Sequence, residues 1–175
     1  MRLKAGDKAP DFTAKVWNGQ DLKLSDFQGQ KVWLAFFRYA SCPFCNLRVR
    51  DIIRRHDEFK SKGLKVIGVF QSPLESFDEY VRKQNPPFPL VSDPEETLYK
   101  IYGLEASLGA FLSPKNLAYA AEAAKAGLLA MAPEGTMTRI PADFLIGPDG
   151  VIKDVFYGEI IADHIPIDRV DRFIA

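Results

Sequence analysis

The run Val32 to Tyr39 (VWLAFFRY) leads within three residues into Cys42-Pro43-Phe44-Cys45, and this junction limits what the chain can fold into more than any other feature. The run is aromatic and β-branched with little polar alternation, the pattern of a strand covered on both faces. Beyond the cysteines, Leu47, Val49, Ile52, Ile53 and Phe59 recur at mixed three- and four-residue spacing with charges between them, so an amphipathic helix ends near Gly63. C-x-x-C between a buried strand and a helix puts Cys42 at the helix N-terminus, where unpaired amides and the positive end of the dipole stabilise a thiolate. Cys42 therefore reads as a nucleophile. Cys45, about one turn further along the same face, reads as a resolving thiol that attacks a mixed disulfide or sulfenic acid formed on Cys42. Pro43 suits the first helical turn, where its missing amide hydrogen would have had no acceptor. The chain holds only these two cysteines in 175 residues, and two placed at random would fall three apart in only about 1% of such chains.

The remaining sequence fills in an α/β alternation. Phe12 to Leu24 reads as two short strands around Asn18-Gly19, an N-terminal hairpin. Leu64 to Phe70 (LKVIGVF) is a second buried strand, and Ser72-Pro73-Leu74-Glu75 carries the marks of a capped helix running to about Gln84. Asn85 to Pro89 breaks it, Leu90 to Ser92 is a short strand, and Asp93 caps a brief helix that Gly103 closes. Phe144 to Ile146 and Val151 to Phe156 flank Gly147-Pro148-Asp149-Gly150 as a β-hairpin, and a last amphipathic helix follows Pro166. The order βαβα then ββα predicts one domain over residues 1–175, an α/β sheet with a helical insertion at about 105–137. Ala118 to Ala132 contributes eight alanines in fifteen residues after Ser113-Pro114. This stretch predicts a helix, either packed on the core or used for homodimerisation or for covering a substrate cleft.

Composition narrows the partners. Lys and Arg number 23 and Asp and Glu 23, a formal net charge of zero, so nothing drives the chain toward nucleic acid or an anionic membrane. No run approaches the roughly eighteen apolar residues of a membrane helix and no signal-type segment opens the chain. The expected compartment is the cytoplasm, where a close cysteine pair serves metal binding or redox chemistry more often than a structural disulfide. Cys42, Cys45, His56 and His164 would supply a zinc set. His56, however, sits eleven positions past Cys45, roughly 16 Å along a continuous helix, so no metal is expected and both histidines read as surface or interface residues. The strand-to-helix junction is expected to be exposed, which separates the pair from ordinary buried core cysteines.

Four motifs together resemble the AhpC/TSA family of thioredoxin-fold proteins (alkyl hydroperoxide reductase and thiol-specific antioxidant), and most closely its peroxiredoxin-like branch with C-x-x-C. They are Gly6-Asp7-Lys8-Ala9-Pro10-Asp11-Phe12, Leu24-Ser25-Asp26-Phe27, Phe36-Phe37-Arg38 through Cys45, and Pro141-Ala142-Asp143-Phe144-Leu145-Ile146. The resemblance implies a thioredoxin-like fold with an N-terminal hairpin extension and a helical insertion. It also implies a cis Ile140–Pro141 bond facing the cysteines, with the Ile140 backbone free to pair with an extended substrate. The sequence departs from the peroxidatic pattern of the family: Ala35 and Tyr39 stand where proline and a threonine or serine would precede Cys42. Phe36 occupies the place of thioredoxin's buried aspartate, so a buried proton acceptor is expected to be missing. Arg38 and Arg139 would lower the Cys42 pKa if they point toward it, although arginines are more often at the surface.

These features predict a thiol oxidoreductase in which Cys42 attacks a hydroperoxide or disulfide, Cys45 closes an intramolecular disulfide, and an external dithiol of thioredoxin or glutathione type restores both, with no bound cofactor. The alternatives are a redox-sensing or partner-binding module without turnover, and a retained fold with inert cysteines.

Overall fold

The computed structural model describes residues 1–128 and 132–175. The expected hairpin forms from β1 (Thr13–Lys15) and β2 (Asp21–Lys23), paired antiparallel. A 3-10 turn at Leu24–Phe27 leads into β3 (Lys31–Phe36), then α1 (Pro43–Ser61) and β4 (Leu64–Phe70). After α2 (Leu74–Glu79) come β5 (Leu90–Ser92) and α3 (Thr97–Ile101). The insertion carries α4 (Leu108–Phe111) and α5 (Asn116–Lys125), and the chain closes with β6 (Ala142–Ile146), β7 (Ile152–Tyr157) and α6 (Ile167–Ile174).

The main sheet has the order β5-β4-β3-β6-β7, with β3 at the centre, parallel to β4 and antiparallel to β6. The missing polar alternation in β3 is explained by its two covers. Trp33, Ala35 and Phe37 pack toward α1 with Val49, Ile52 and Phe59, while Val32, Leu34 and Phe36 pack on the other face with Tyr99, Tyr102 and Phe144. Among the described residues no helix is long and apolar enough to cross a membrane.

Several local expectations change. The strand β3 ends at Phe36 rather than Tyr39, although Phe37 and Gln71 continue the backbone pairing toward β4. Ser72 does not cap α2: its hydroxyl accepts from the Ala40 amide at 2.7 Å and donates to Glu134 at 2.7 Å, so it ties two loops together instead. The α2 helix is short, because Tyr80 leaves helical geometry and only a 3-10 turn, Val81–Gln84, continues to the left-handed Asn85. Asp93 behaves as expected, accepting from the amides of Thr97 and Leu98 at the start of α3. Gly103 then takes a φ of +71°, a conformation that costs glycine little.

The Ala-rich helix starts at Asn116, two residues beyond Pro114, and turns off at Gly127. The part of the Ala118–Ala132 stretch at 129–131 lies outside the described residues. Only Asn116 and Ala123 of α5 are buried, and Leu108, Leu112 and Leu117 remain exposed.

Candidate active site

The end of β3 delivers the loop 37–42 to the head of α1. Cys42 is the N-cap residue, extended at φ −69° and ψ 120°, with Pro43 in the first turn and the Cys42 sulfur accepting from the Cys45 amide at 3.5 Å. Asn46 closes the loop from the next turn, donating to the carbonyls of Ala40 at 2.6 Å and Cys42 at 2.9 Å, and Gln84 in turn donates to Asn46. A cavity of about 300 Å³ opens beside this loop, lined by Ser41, Pro43, Asn46, Tyr80 and Gln84.

The junction is buried, contrary to the exposure expected from the sequence. Cys42 is 0% and Cys45 1% accessible, and both are free thiols. Nor is Arg38 a surface arginine. It is buried beneath the loop, with Nη1 donating to the Cys42 sulfur at 3.4 Å and Nη2 to the Tyr39 hydroxyl at 3.2 Å and the Met137 carbonyl. The Arg38 amide donates to the Cys45 sulfur at 3.3 Å.

This arrangement separates the two thiols. Burial alone pushes Cys42 up, but the thiol hydrogen bond from Cys45, the Arg38 guanidinium and the amides of Cys45 and Phe44 bring it down to about 7. Burial pushes Cys45 well above the ordinary thiol value, and donating to the Cys42 sulfur and facing its charge reinforce the rise. One thiol is thus poised as a thiolate near neutrality while its neighbour keeps its proton. Arg139 takes no part: it pairs with Glu96 and donates to the Leu104 carbonyl at 3.1 Å.

The Ile140–Pro141 bond is trans, as is every peptide bond of the described residues. Arg139 bridges to Ala106 and Ala142 pairs with both Phe36 and Tyr157, so the chain enters β6 extended and a trans bond continues that path. The Ile140 amide is already taken by the Glu105 carbonyl at 3.1 Å and is not free for an added strand.

A buried carboxylate is present after all, on the neighbouring strand. Asp143 lies opposite Ala35 and is fully buried. It accepts from Trp33 Nε1 at 2.8 Å and the Ile165 amide at 2.9 Å, and stands 3.0 Å from His164 Nδ1. Burial pushes its carboxyl up, but the His164 charge and hydrogen bond, Arg48 and the Ile165 amide hold it below its ordinary value. His164 is therefore a core residue, its side chain 4% exposed, rather than a surface one. His56 is half-buried near Phe88. The signal available for Asp143 was a lone acid inside the apolar run Ala142 to Ile146 (ADFLI). Gln71, Ser72 and residues 132–137 carried no such sign.

A five-stranded sheet of this order, with C-x-x-C capping the helix after its central strand, defines a thioredoxin-fold thiol protein. The chain belongs to the AhpC/TSA family, whose sequence profile matches residues 5–155. It is similar to peroxiredoxin Bcp of Escherichia coli K12, with 32% identity over 102 residues, covering 58% of this chain and 65% of that one. The match thus spans less than two thirds of that relative's length. Against peroxiredoxin Bcp of Bacillus subtilis the identity is 30% over 112 residues, covering 62% and 71%. Among solved structures, peroxidoxin BcpB of Mycobacterium tuberculosis superposes with a TM-score of 0.71 at 20% identity, covering 99% of this chain and 95% of that one, a likeness of fold.

Proposed function

We propose that the protein is a thiol-dependent peroxidase or thiol–disulfide oxidoreductase with Cys42 as nucleophile and Cys45 as resolving thiol. The observation that carries this reading is the Arg38 guanidinium 3.4 Å from the Cys42 sulfur at the N-cap of α1. With a hydroperoxide, the Cys42 thiolate attacks the terminal oxygen, the O–O bond breaks, the alkoxide leaves and takes a proton, and Cys42 becomes a sulfenic acid. Cys45 then attacks that sulfur, the S–S bond forms and water departs. With a disulfide substrate the leaving group is a thiolate, and Cys45 expels the second thiol from the mixed disulfide. An external dithiol of thioredoxin or glutathione type returns both cysteines to thiols, which fits a reducing compartment such as the cytoplasm.

The test is turnover of hydrogen peroxide, an organic hydroperoxide and an oxidised protein, each with a thioredoxin or a glutathione reducing system. Cys42→Ser abolishes turnover with every oxidant. Cys45→Ser keeps one stoichiometric reaction but loses catalytic cycling with a dithiol. Equal activity of the wild type and Cys42→Ser sinks the proposal. A second reading, redox sensing without turnover, is favoured by the complete burial of Cys42; its mark is a change of oligomeric state between reduced and oxidised forms.

A further inference from the structure

A thiolate that reacts must meet its oxidant, yet Cys42 is wholly covered. Residues 132–137 (APEGTM) lie across the residues around it and are held by four side chains. Ser41 Oγ donates to the Ala132 carbonyl at 3.0 Å, Gln71 Oε1 accepts from the Thr136 amide at 2.6 Å, Arg38 donates to the Met137 carbonyl, and Ser72 Oγ donates to the Glu134 carboxylate at 2.7 Å. All four holders are buried, whereas Ala132, Pro133, Gly135 and Met137 are exposed.

Three of the four bonds go to backbone groups, so the holders grip a polypeptide through its main chain with little regard to sequence. Two more donors on these holders, Gln71 Nε2 and Arg38 Nε, are buried and find no partner among the described residues. The holders therefore have hydrogen-bonding capacity that residues 132–137 leave unused. Arg38 is shared, since the guanidinium that grips Met137 also contacts the Cys42 sulfur.

We infer that residues 132–137 are a self-inhibiting strap that fills a groove for an extended polypeptide, and that Cys42 is uncovered when a segment of a partner protein takes their place. The partner is read through its backbone, with an acidic side chain opposite Ser72. The inference rests on the reading of Cys42 as the reacting thiol.

Gly135 supplies the test. A Cβ there would stand 2.5 Å from Gln71 Oε1 and 2.9 Å from Gln71 Cβ, so Gly135→Ala pushes the strap away from its holder. Glu134→Ala removes the tie to Ser72 and serves as a second variant should Gly135→Ala fold poorly. Alkylation of Cys42 by iodoacetamide, followed by mass spectrometry at about pH 9, is expected to rise about tenfold in both variants, as loss of one or two hydrogen bonds from a local closing equilibrium predicts. The capped hexapeptide Ala-Pro-Glu-Gly-Thr-Met, added to Gly135→Ala, is expected to return the rate toward that of the wild type. No acceleration in either variant overturns the strap, and acceleration without protection by the peptide overturns the groove. If alkylation behaves as expected while Cys42→Ser retains peroxide and disulfide turnover, the strap stands and the assignment of Cys42 as the reacting thiol fails.

Discussion

Arg38 is the residue on which the chemistry of the pair turns. It is the third residue of the Phe36-Phe37-Arg38 motif, and only the bend after β3 brings its guanidinium back under Cys42, four positions later. Its reach to Tyr39 and Met137 fixes it there, so its charge acts on a sulfur that burial would otherwise keep protonated. The sign of the pH dependence follows. Below about pH 7 Cys42 holds its proton and alkylation slows roughly tenfold per pH unit, while above it the rate levels off. Arg38→Met removes a lowering influence and moves the midpoint of the alkylation profile upward, whatever the change in the plateau rate that follows from losing the tie to Met137. A midpoint unmoved by Arg38→Met, read from pH profiles in the two proteins, would show that the Cys45 thiol and the helix-terminal amides hold the thiolate without the guanidinium.

At the scale of elements, the junction β3–α1 and the hairpin β6–β7 meet through one buried polar cluster. Asp143 on β6 accepts from Trp33 on β3 and from Ile165 before α6, and His164 completes it, so the carboxylate joins three elements below α1. Replacing it by alanine leaves His164 and the Trp33 indole without their partner, and the expected loss is about 3–5 kcal/mol. Urea unfolding followed by tryptophan fluorescence measures it, and a loss under about 1 kcal/mol would mean that the cluster contributes only packing. The extents of β4, β5 and α6 were legible because apolar period and turn residues are local signals. Ser72 was misread because a hydroxyl before a proline looks like a cap. Its actual partners, Ala40 and Glu134, lie 32 and 62 residues away in sequence.

Across the whole molecule the central sheet separates two cores, with the cysteines in the one under α1 and Phe36, Tyr99, Tyr102 and Phe144 in the other. Phe36 has three aromatic rings within 5.1–5.7 Å, measured between centroids. Phe36→Ala is expected to cost about 3–5 kcal/mol in urea unfolding and to leave the Cys42 alkylation midpoint unchanged, because the lost ring faces away from α1. A shift of that midpoint would show that the two faces are coupled through β3. The amino-acid sequence by itself determined the α/β order, the two-sided burial of β3 and the placing of Cys42 at a helix N-terminus, since each depends on residues within a turn or a strand of one another. Only the tertiary structure decided that the pair is buried, that Arg38 faces it, that the Ile140–Pro141 bond is trans and that the acid is Asp143. Those features are set by contacts between segments far apart in the chain, where hydrogen-bond partners and desolvation, rather than local pattern, fix which groups meet.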